Sequence, residues 1–316
     1  MGKLRAAVVG VGYLGTFHAQ KYKALSEKKE MNLEFVGVCD LSASQVEKVA
    51  QELGVLPFAR PELLVGKVDA VTIATITPTH YELAKFFLEN KIHVNVEKPI
   101  CLKTSEAEYL VKLAKLNGLS LCVGHSERFS PVFCELKAYL PKPQFLEFNR
   151  YAPFKMRGSD VSALHDLMIH DLDLMLSMDS SPFRLVTAQA GKMVTKAYDW
   201  CSATFEFKSG LKAQINCSRL SKTMVRSIRA IDARHIWTAN LQTGDLEQTM
   251  VVESIDAPVA FETKQLGRGD NLLTETEAFL NLIQKKPTLA VTGEEGLKAL
   301  DCVEQIISFV EAQRGW

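Results

Sequence analysis

The sequence lacks the features that mark several classes of protein. It carries no net charge, with 37 Lys and Arg against 37 Asp and Glu, so no basic stripe argues for nucleic acid or for an anionic membrane surface. No uninterrupted apolar run reaches the roughly 20 residues of a membrane-spanning helix. The first apolar run starts almost at the N-terminus, which leaves no room for a signal peptide and points to a cytoplasmic protein. The seven cysteines (Cys39, Cys101, Cys122, Cys134, Cys201, Cys217 and Cys302) include no C-x-x-C pair. An odd, dispersed set fits reduced thiols in apolar surroundings rather than a disulfide framework. There is no internal repeat and no low-complexity linker. What remains is an ordinary globular composition, 47% hydrophobic and 23% charged over 316 residues, enough for two domains.

One stretch stands out. Ala6-Ala7-Val8-Val9 runs into Gly10-Val11-Gly12-Tyr13-Leu14-Gly15, a strand-like run ending in G-x-G-x-x-G and followed by a helical pattern. In that context Gly10 permits a tight turn, Gly12 lets backbone approach a pyrophosphate, and Gly15 lets the helix pack close to the strand. Tyr13 and Leu14 complete the phosphate-facing turn, because the helix N-terminus offers unpaired N–H groups to an anion. A second strand, Leu33 to Cys39, ends in Asp40, where a dinucleotide fold holds the adenosine ribose hydroxyls. The carboxylate would repel a 2′-phosphate, and neither Leu41 nor Ser42 supplies a cation, which favours NAD over NADP. The bland alternative is a turn aspartate capping the helix near Ser42.

From residue 1 to about 120 strands and helices alternate. Val68–Thr75 and Ile92–Val96 read as buried parallel strands. Thr77, Pro78 and His80 follow the first of these, and Glu97, Lys98 and Pro99 follow the second. All lie at carboxyl ends of strands, where doubly wound sheets bind ligands, and Thr77, Pro78, His80, Glu97 and Lys98 are assigned there as cofactor contacts. After Pro131 the pattern changes to alternation: Leu211, Ala213, Ile215 and Cys217 share one face, and Lys212, Gln214 and Asn216 the other. That is an antiparallel sheet with one face on a core. The fold class is therefore α/β: a doubly wound Rossmann domain over 1–123, and an α+β domain with a large open, mostly antiparallel sheet over 124–316, its last helices packing back on the first domain.

Between them lies Asp166-Leu167-Met168-Ile169-His170-Asp171-Leu172-Asp173. On a straight α-helix Asp166, His170 and Asp173 form one stripe at i, i+4 and i+7. A carboxylate one turn from an imidazole orients the ring and raises its basicity. Taken alone the stripe has three readings: a satisfied core histidine on an amphipathic helix, an acid–base pair, or part of a metal site. Lys98 favours the second. A lysine at the sheet's carboxyl edge, followed by a rigidifying proline, can stabilise a developing alkoxide; its alternative is a surface ion pair with Glu97.

G-x-G-x-x-G-x-x-H (Gly10 to His18), T-P-T-H (Thr77–His80), E-K-P (Glu97–Pro99), D-x-x-x-H-x-x-D (Asp166–Asp173) and the closing V-T-G-E-E-G-L (Val291–Leu297) occur together in this order. The combination resembles the glucose–fructose oxidoreductase/inositol dehydrogenase/rhizopine-catabolism (Gfo/Idh/MocA) family over essentially the full chain. The resemblance implies NAD(P)-dependent oxidation of a sugar or cyclitol hydroxyl, with Lys98, Asp166 and His170 matching the family's catalytic lysine, aspartate and histidine. It also implies a homodimer or homotetramer formed through the polar sheet face. Met168 departs from the pattern, standing where many members have glycine. The segments Asp166–Asp171 and Gly124–Phe129 are similar to a subgroup that includes UDP-N-acetylglucosamine 3-dehydrogenases. A nucleotide diphosphate would need cations, and Arg128, Arg150, Lys155, Arg157 and Arg229 are at hand; Arg128 and Arg157, with Lys98, Asp166 and His170, are the expected substrate contacts. No metal is expected. The alternatives are a dehydrogenase of a free cyclitol or monosaccharide and, in another class, a non-catalytic dinucleotide sensor.

Overall fold

The computed structural model describes residues 2–156, 161–252 and 258–313. The chain divides into two compact units, Met1–Ser126 with Leu272–Leu297, and Glu127–Asn271 with Lys298–Trp316.

In the first unit, β1 (Leu4–Val9), α1 (Tyr13–Ser26), β2 (Leu33–Cys39), α2 (Ala43–Leu53), β3 (Leu56–Phe58), β4 (Ala70–Ile73), α3 (His80–Glu89), β5 (His93–Glu97), α4 (Thr104–Asn117) and β6 (Leu121–Gly124) alternate along the chain. The strands form one sheet in the order β3-β2-β1-β4-β5-β6, and every pairing is parallel. The apolar runs follow from this, since helices cover both faces: β4 is buried at every residue. Strand order reverses between β1 and β4, so the crevice beyond their carboxyl ends is the topological switch point. The short edge strand β3 has no alternating signal and carries Pro57, which an edge tolerates.

The second unit contains α5 (Pro131–Tyr139), β7 (Phe145–Tyr151), a π-helical turn (Leu164–Met168) running into α6 (Ile169–Met178), and then β8 (Phe183–Gly191), β9 (Trp200–Phe207), β10 (Lys212–Ser218), β11 (Val225–Ile231), β12 (His235–Asn240), β13 (Asp245–Val251) and β14 (Val259–Gln265). Eight strands make one sheet in the order β14-β13-β12-β11-β7-β10-β9-β8. It is antiparallel except where β7 and β10 run parallel. Ala213, Ile215 and Cys217 enter the core with Leu146, Phe148, Leu164, Met168 and Leu172. On the opposite face Asn216 donates to Asn149 at 3.1 Å and accepts from Ser202 at 2.7 Å, a polar ladder that needs no apolar cover.

Two helices close the chain, α7 (Asn271–Ile283) and α8 (Gly293–Gln313). The α7 segment groups with the first unit, where Phe279 and Leu280 join the core of β1, β2 and α1. Thr292 and Glu295 exchange hydrogen bonds at the start of α8 (Glu295 Oε2 from Thr292 N–H, 2.9 Å; Thr292 Oγ1 from Glu295 N–H, 3.4 Å), a capping box. A Cβ on Gly296 would come within 2.4 Å of Val123, so the V-T-G-E-E-G segment lies flat against β6. Among the described residues no helix is long and apolar enough to cross a membrane.

Candidate active site

The glycine turn fits a dinucleotide. Gly10 has φ +83°, and a Cβ there would lie 2.6 Å from Thr75; a Cβ on Gly15 would lie 1.7 Å from the carbonyl oxygen of Gly10. These two glycines are obligatory for the turn and for the approach of α1. At Gly12 a Cβ would meet no protein atom within 4 Å, so its smallness serves space outside the chain. That is the cradle a pyrophosphate needs above a helix N-terminus. Tyr13 is largely exposed there, edge-on to Phe17, and Leu14 is half-buried. Asp40 accepts hydrogen bonds from Val11 N–H (2.8 Å) and Ser42 N–H (2.9 Å). It therefore ties the glycine turn to the start of α2.

At the end of β4, Thr77 and Pro78 open a 3₁₀ turn that leads into α3; Pro78 is exposed and Thr77 half-buried. His80 is buried. Its Nδ1 lies 2.8 Å from the Pro99 carbonyl and its Nε2 3.2 Å from that of Thr75. Burial holds its pKa below the usual value, against the pull of those two carbonyls, so the ring is neutral and its single N–H donates to one of the two. His80, expected among the cofactor contacts, thus turns both ring nitrogens toward backbone carbonyls. The peptide bond Lys98–Pro99 is cis. Glu97 is buried too, with Oε1 2.7 Å from His18 Nε2 and Oε2 accepting from the Lys98 N–H at 3.2 Å. Its role is likewise internal support, while Lys98 itself is half-exposed at the sheet edge.

In the second unit the straight stripe of Asp166, His170 and Asp173 is not realised. Leu164–Met168 is a π turn, which widens the helix just where Asp166 sits, and regular α-helix resumes at Ile169. Such turns frequently occur at functional sites, and nothing in the residue pattern signals this one. Asp166 and His170 are both half-buried. Asp173 is buried and takes both oxygens into a bidentate pair with Arg128 (Nε to Oδ2 and Nη2 to Oδ1, each 2.7 Å). Arg128, expected among the substrate contacts, thus spends two of its donors on Asp173. Arg150 is similarly committed. It donates to Asp171 (2.8 and 2.7 Å) and to both oxygens of Glu127 (2.7 Å to Oε1), and Arg226 also reaches Glu127 at 3.1 Å. Burial pushes the Asp171 carboxyl up despite the facing guanidinium. Nothing in the residue pattern signals this buried network, whose members stand 23 and 21 positions apart. Lys155 and Arg229 remain exposed. Arg157 lies outside the described residues.

A parallel 3-2-1-4-5-6 sheet with a glycine cradle at its switch point defines a dinucleotide-binding oxidoreductase class, here joined to a large mixed-sheet unit. Residues 4–125 match the model of the oxidoreductase family with an NAD-binding Rossmann fold, and residues 143–230 match that of the GFO/IDH/MocA C-terminal domain. The chain belongs to the GFO/IDH/MocA family and is an NAD(P)-dependent oxidoreductase acting on CH–OH groups. It is 34% identical to UDP-N-acetylglucosamine 3-dehydrogenase of Acidithiobacillus ferrooxidans, over 98% of both chains. The solved structure of that protein superposes with a TM-score of 0.88 over 99% of each chain. A myo-inositol 2-dehydrogenase of Thermotoga maritima is 24% identical over 94% of this chain and 93% of its own. Levoglucosan dehydrogenase in complex with NADH and levoglucosan shares the fold, at TM-score 0.88 and 15% identity over 98% of each chain.

Proposed function

We propose that the chain is an NAD-dependent dehydrogenase that oxidises the 3-hydroxyl of UDP-N-acetylglucosamine to the 3-keto sugar. The observation that carries this reading is the 34% identity, end to end, with a UDP-N-acetylglucosamine 3-dehydrogenase. Asp40 ends β2, where a dinucleotide fold holds the adenosine ribose, and neither Leu41 nor Ser42 supplies a cation for a 2′-phosphate, which supports NAD.

The glycine turn would hold the pyrophosphate of a dinucleotide, whose nicotinamide would supply the acceptor for the hydride leaving the sugar carbon. Lys98 then donates a hydrogen bond to the reacting hydroxyl and stabilises the developing alkoxide. His170 takes the hydroxyl proton, a role worth about 10²–10⁴ in rate. Asp166 orients that imidazole. His18, His80 and Glu97 hold the lysine edge rigid. Lys155, an exposed cation of the second unit, and Arg157 are the diphosphate contacts in this reading. A second reading, oxidation of a free cyclitol or monosaccharide, draws support from the internal pairing of Arg128 and Arg150, which removes two cations that a diphosphate could use. Turnover of UDP-N-acetylglucosamine against inositol separates the two. The polar ladder of Asn149, Ser202 and Asn216 suits a face that meets a second copy, and the assembly proposed is a homodimer or homotetramer.

A further inference from the structure

Behind the lysine edge the first unit buries a set of polar groups that the proposed chemistry does not use. They are His18 of α1, Asn95 and Glu97 of β5, and Glu275 of α7, all nine-tenths or more buried. One ligating atom from each of His18, Glu97 and Glu275 lies within 4.8 Å of the other two. His18 Nε2 meets Glu97 Oε1 at 2.7 Å, and Asn95 Nδ2 donates to Glu275 Oε1 at 3.2 Å. Three buried atoms have no partner among the described residues: His18 Nδ1, Asn95 Oδ1 and Glu275 Oε2. With the His18 proton on Nε2, facing the Glu97 carboxylate, Nδ1 is an acceptor, and so is Asn95 Oδ1. An ionised Glu275 would add a third unmatched acceptor and a second negative charge beside Glu97. A protonated Glu275 supplies the missing donor.

The neighbours agree. Around Glu275 stand His18 and Tyr22 on α1, Asn95 and Glu97 on β5, and Cys122 on β6. Burial pushes the Tyr22 hydroxyl and the Cys122 thiol up, so neither is charged at neutral pH. Burial and the charge of Glu97 raise Glu275 well above the carboxylate range. Burial would raise Glu97 as well, but its hydrogen bond to His18 outweighs that and holds it low. Two carboxylates sharing one dry site divide their roles in this way, one charged and one neutral. The charged member is held closely: a Cβ on Gly124 would come within 3.0–3.1 Å of the Glu97 carboxylate.

We infer that Glu275 is a positioning residue of the lysine edge, a neutral carboxylic acid that leaves the charge on Glu97 alone, so that Glu97 can hold both the His18 ring and the backbone N–H of Lys98. The inference rests on the role proposed above for Lys98.

Infrared difference spectra of the full-length protein with NAD, wild type against Glu275→Gln at neutral pH, test the protonation without any sugar. The expected result is a protonated carboxylic acid carbonyl band in the wild type that shifts in D₂O and is lost in Glu275→Gln. Absence of that band overturns the inference, as does a stoichiometric divalent cation in elemental analysis, because a cation requires Glu275 ionised. The positioning role is read from turnover. Glu275→Leu should lower kcat about tenfold to a hundredfold, as a small misplacement does, with the KM for NAD within about twofold, and the neutral isostere Glu275→Gln should restore kcat to within about threefold of wild type. Equal losses in both variants overturn it. If Glu275→Leu does not fold, the glutamine variant and the infrared band still decide. A protein that turned over none of the offered sugars would count against the proposed substrate, while the band would still decide the state of Glu275.

Discussion

Lys98 and His170 carry the chemistry in this account, and their neighbours explain why. Glu97, His18 and His80 are buried around the base of Lys98, so that residue is presented by a rigid edge rather than by a flexible loop. Lys98→Ala should lower turnover about 10²–10³-fold while isothermal titration finds NAD binding within a few-fold of wild type; equal losses of both would make Lys98 a cofactor ligand. Asp40→Ala should reduce the preference for NAD over NADP by at least about tenfold, the worth of a charge-assisted hydrogen bond. An unchanged ratio of the two kcat/KM values would leave Asp40 as a turn cap. Asp199 provides a test that is independent of catalysis. Burial alone would raise its pKa, but the backbone N–H groups of Val194, Thr195 and Met193 and the Thr195 hydroxyl outweigh that and hold it down at about 2. A depressed carboxyl contributes stability above its unfolded pKa that is lost as pH falls through the folded one. Resistance to denaturant should therefore fall as the pH drops from 3.8 to about 2, and Asp199→Asn should flatten that limb.

At the scale of elements, the first strand, glycine turn and helix were legible because local chemistry and tertiary role coincide. Gly10 and Gly15 have to be glycine for the turn and the packing, and Gly12 for the ligand. This distinction is measurable. Gly12→Ala should fold with near-native stability and bind NAD more weakly, whereas Gly15→Ala, with its Cβ against the Gly10 carbonyl, should be destabilised by circular dichroism melting. Sheet alternation was legible for the same reason, since Ala213, Ile215 and Cys217 face the core that their spacing implies. The helix of His170 was legible only in part. Its leucines and methionines gave away the buried side, but the π turn depends on how Leu164–Met168 packs over β9 and β10, which no local pattern encodes. The partners of the arginines are not legible in sequence, because a guanidinium's partner is chosen in three dimensions: Arg128 meets Asp173 across 45 positions of sequence. Removing one member of the Arg150–Glu127–Asp171 cluster strands a buried charge, so Asp171→Ala should cost about 3–5 kcal/mol of stability, read by chemical denaturation.

On the scale of the whole molecule, the chain's ends return to their cores: α7 adds Glu275 and Phe279 to the first unit although nearly 150 residues of the second unit intervene. The sequence is read as having its last helices pack back on the first domain; α7 groups with the first unit, and α8 from Lys298 onward groups with the second. Sedimentation should find the protein as a dimer or tetramer, and a charge placed in the polar ladder, Asn149→Lys, should shift it toward monomer. The central claim is the reaction. Purified protein should be given NAD and, separately, UDP-N-acetylglucosamine, UDP-glucose, glucose and inositol, with an aminotransferase present to consume the ketone, and NADH formation should be followed by its absorbance. The account predicts turnover with UDP-N-acetylglucosamine and little with the other sugars, abolished by His170→Ala. Turnover confined to inositol or glucose would contradict it.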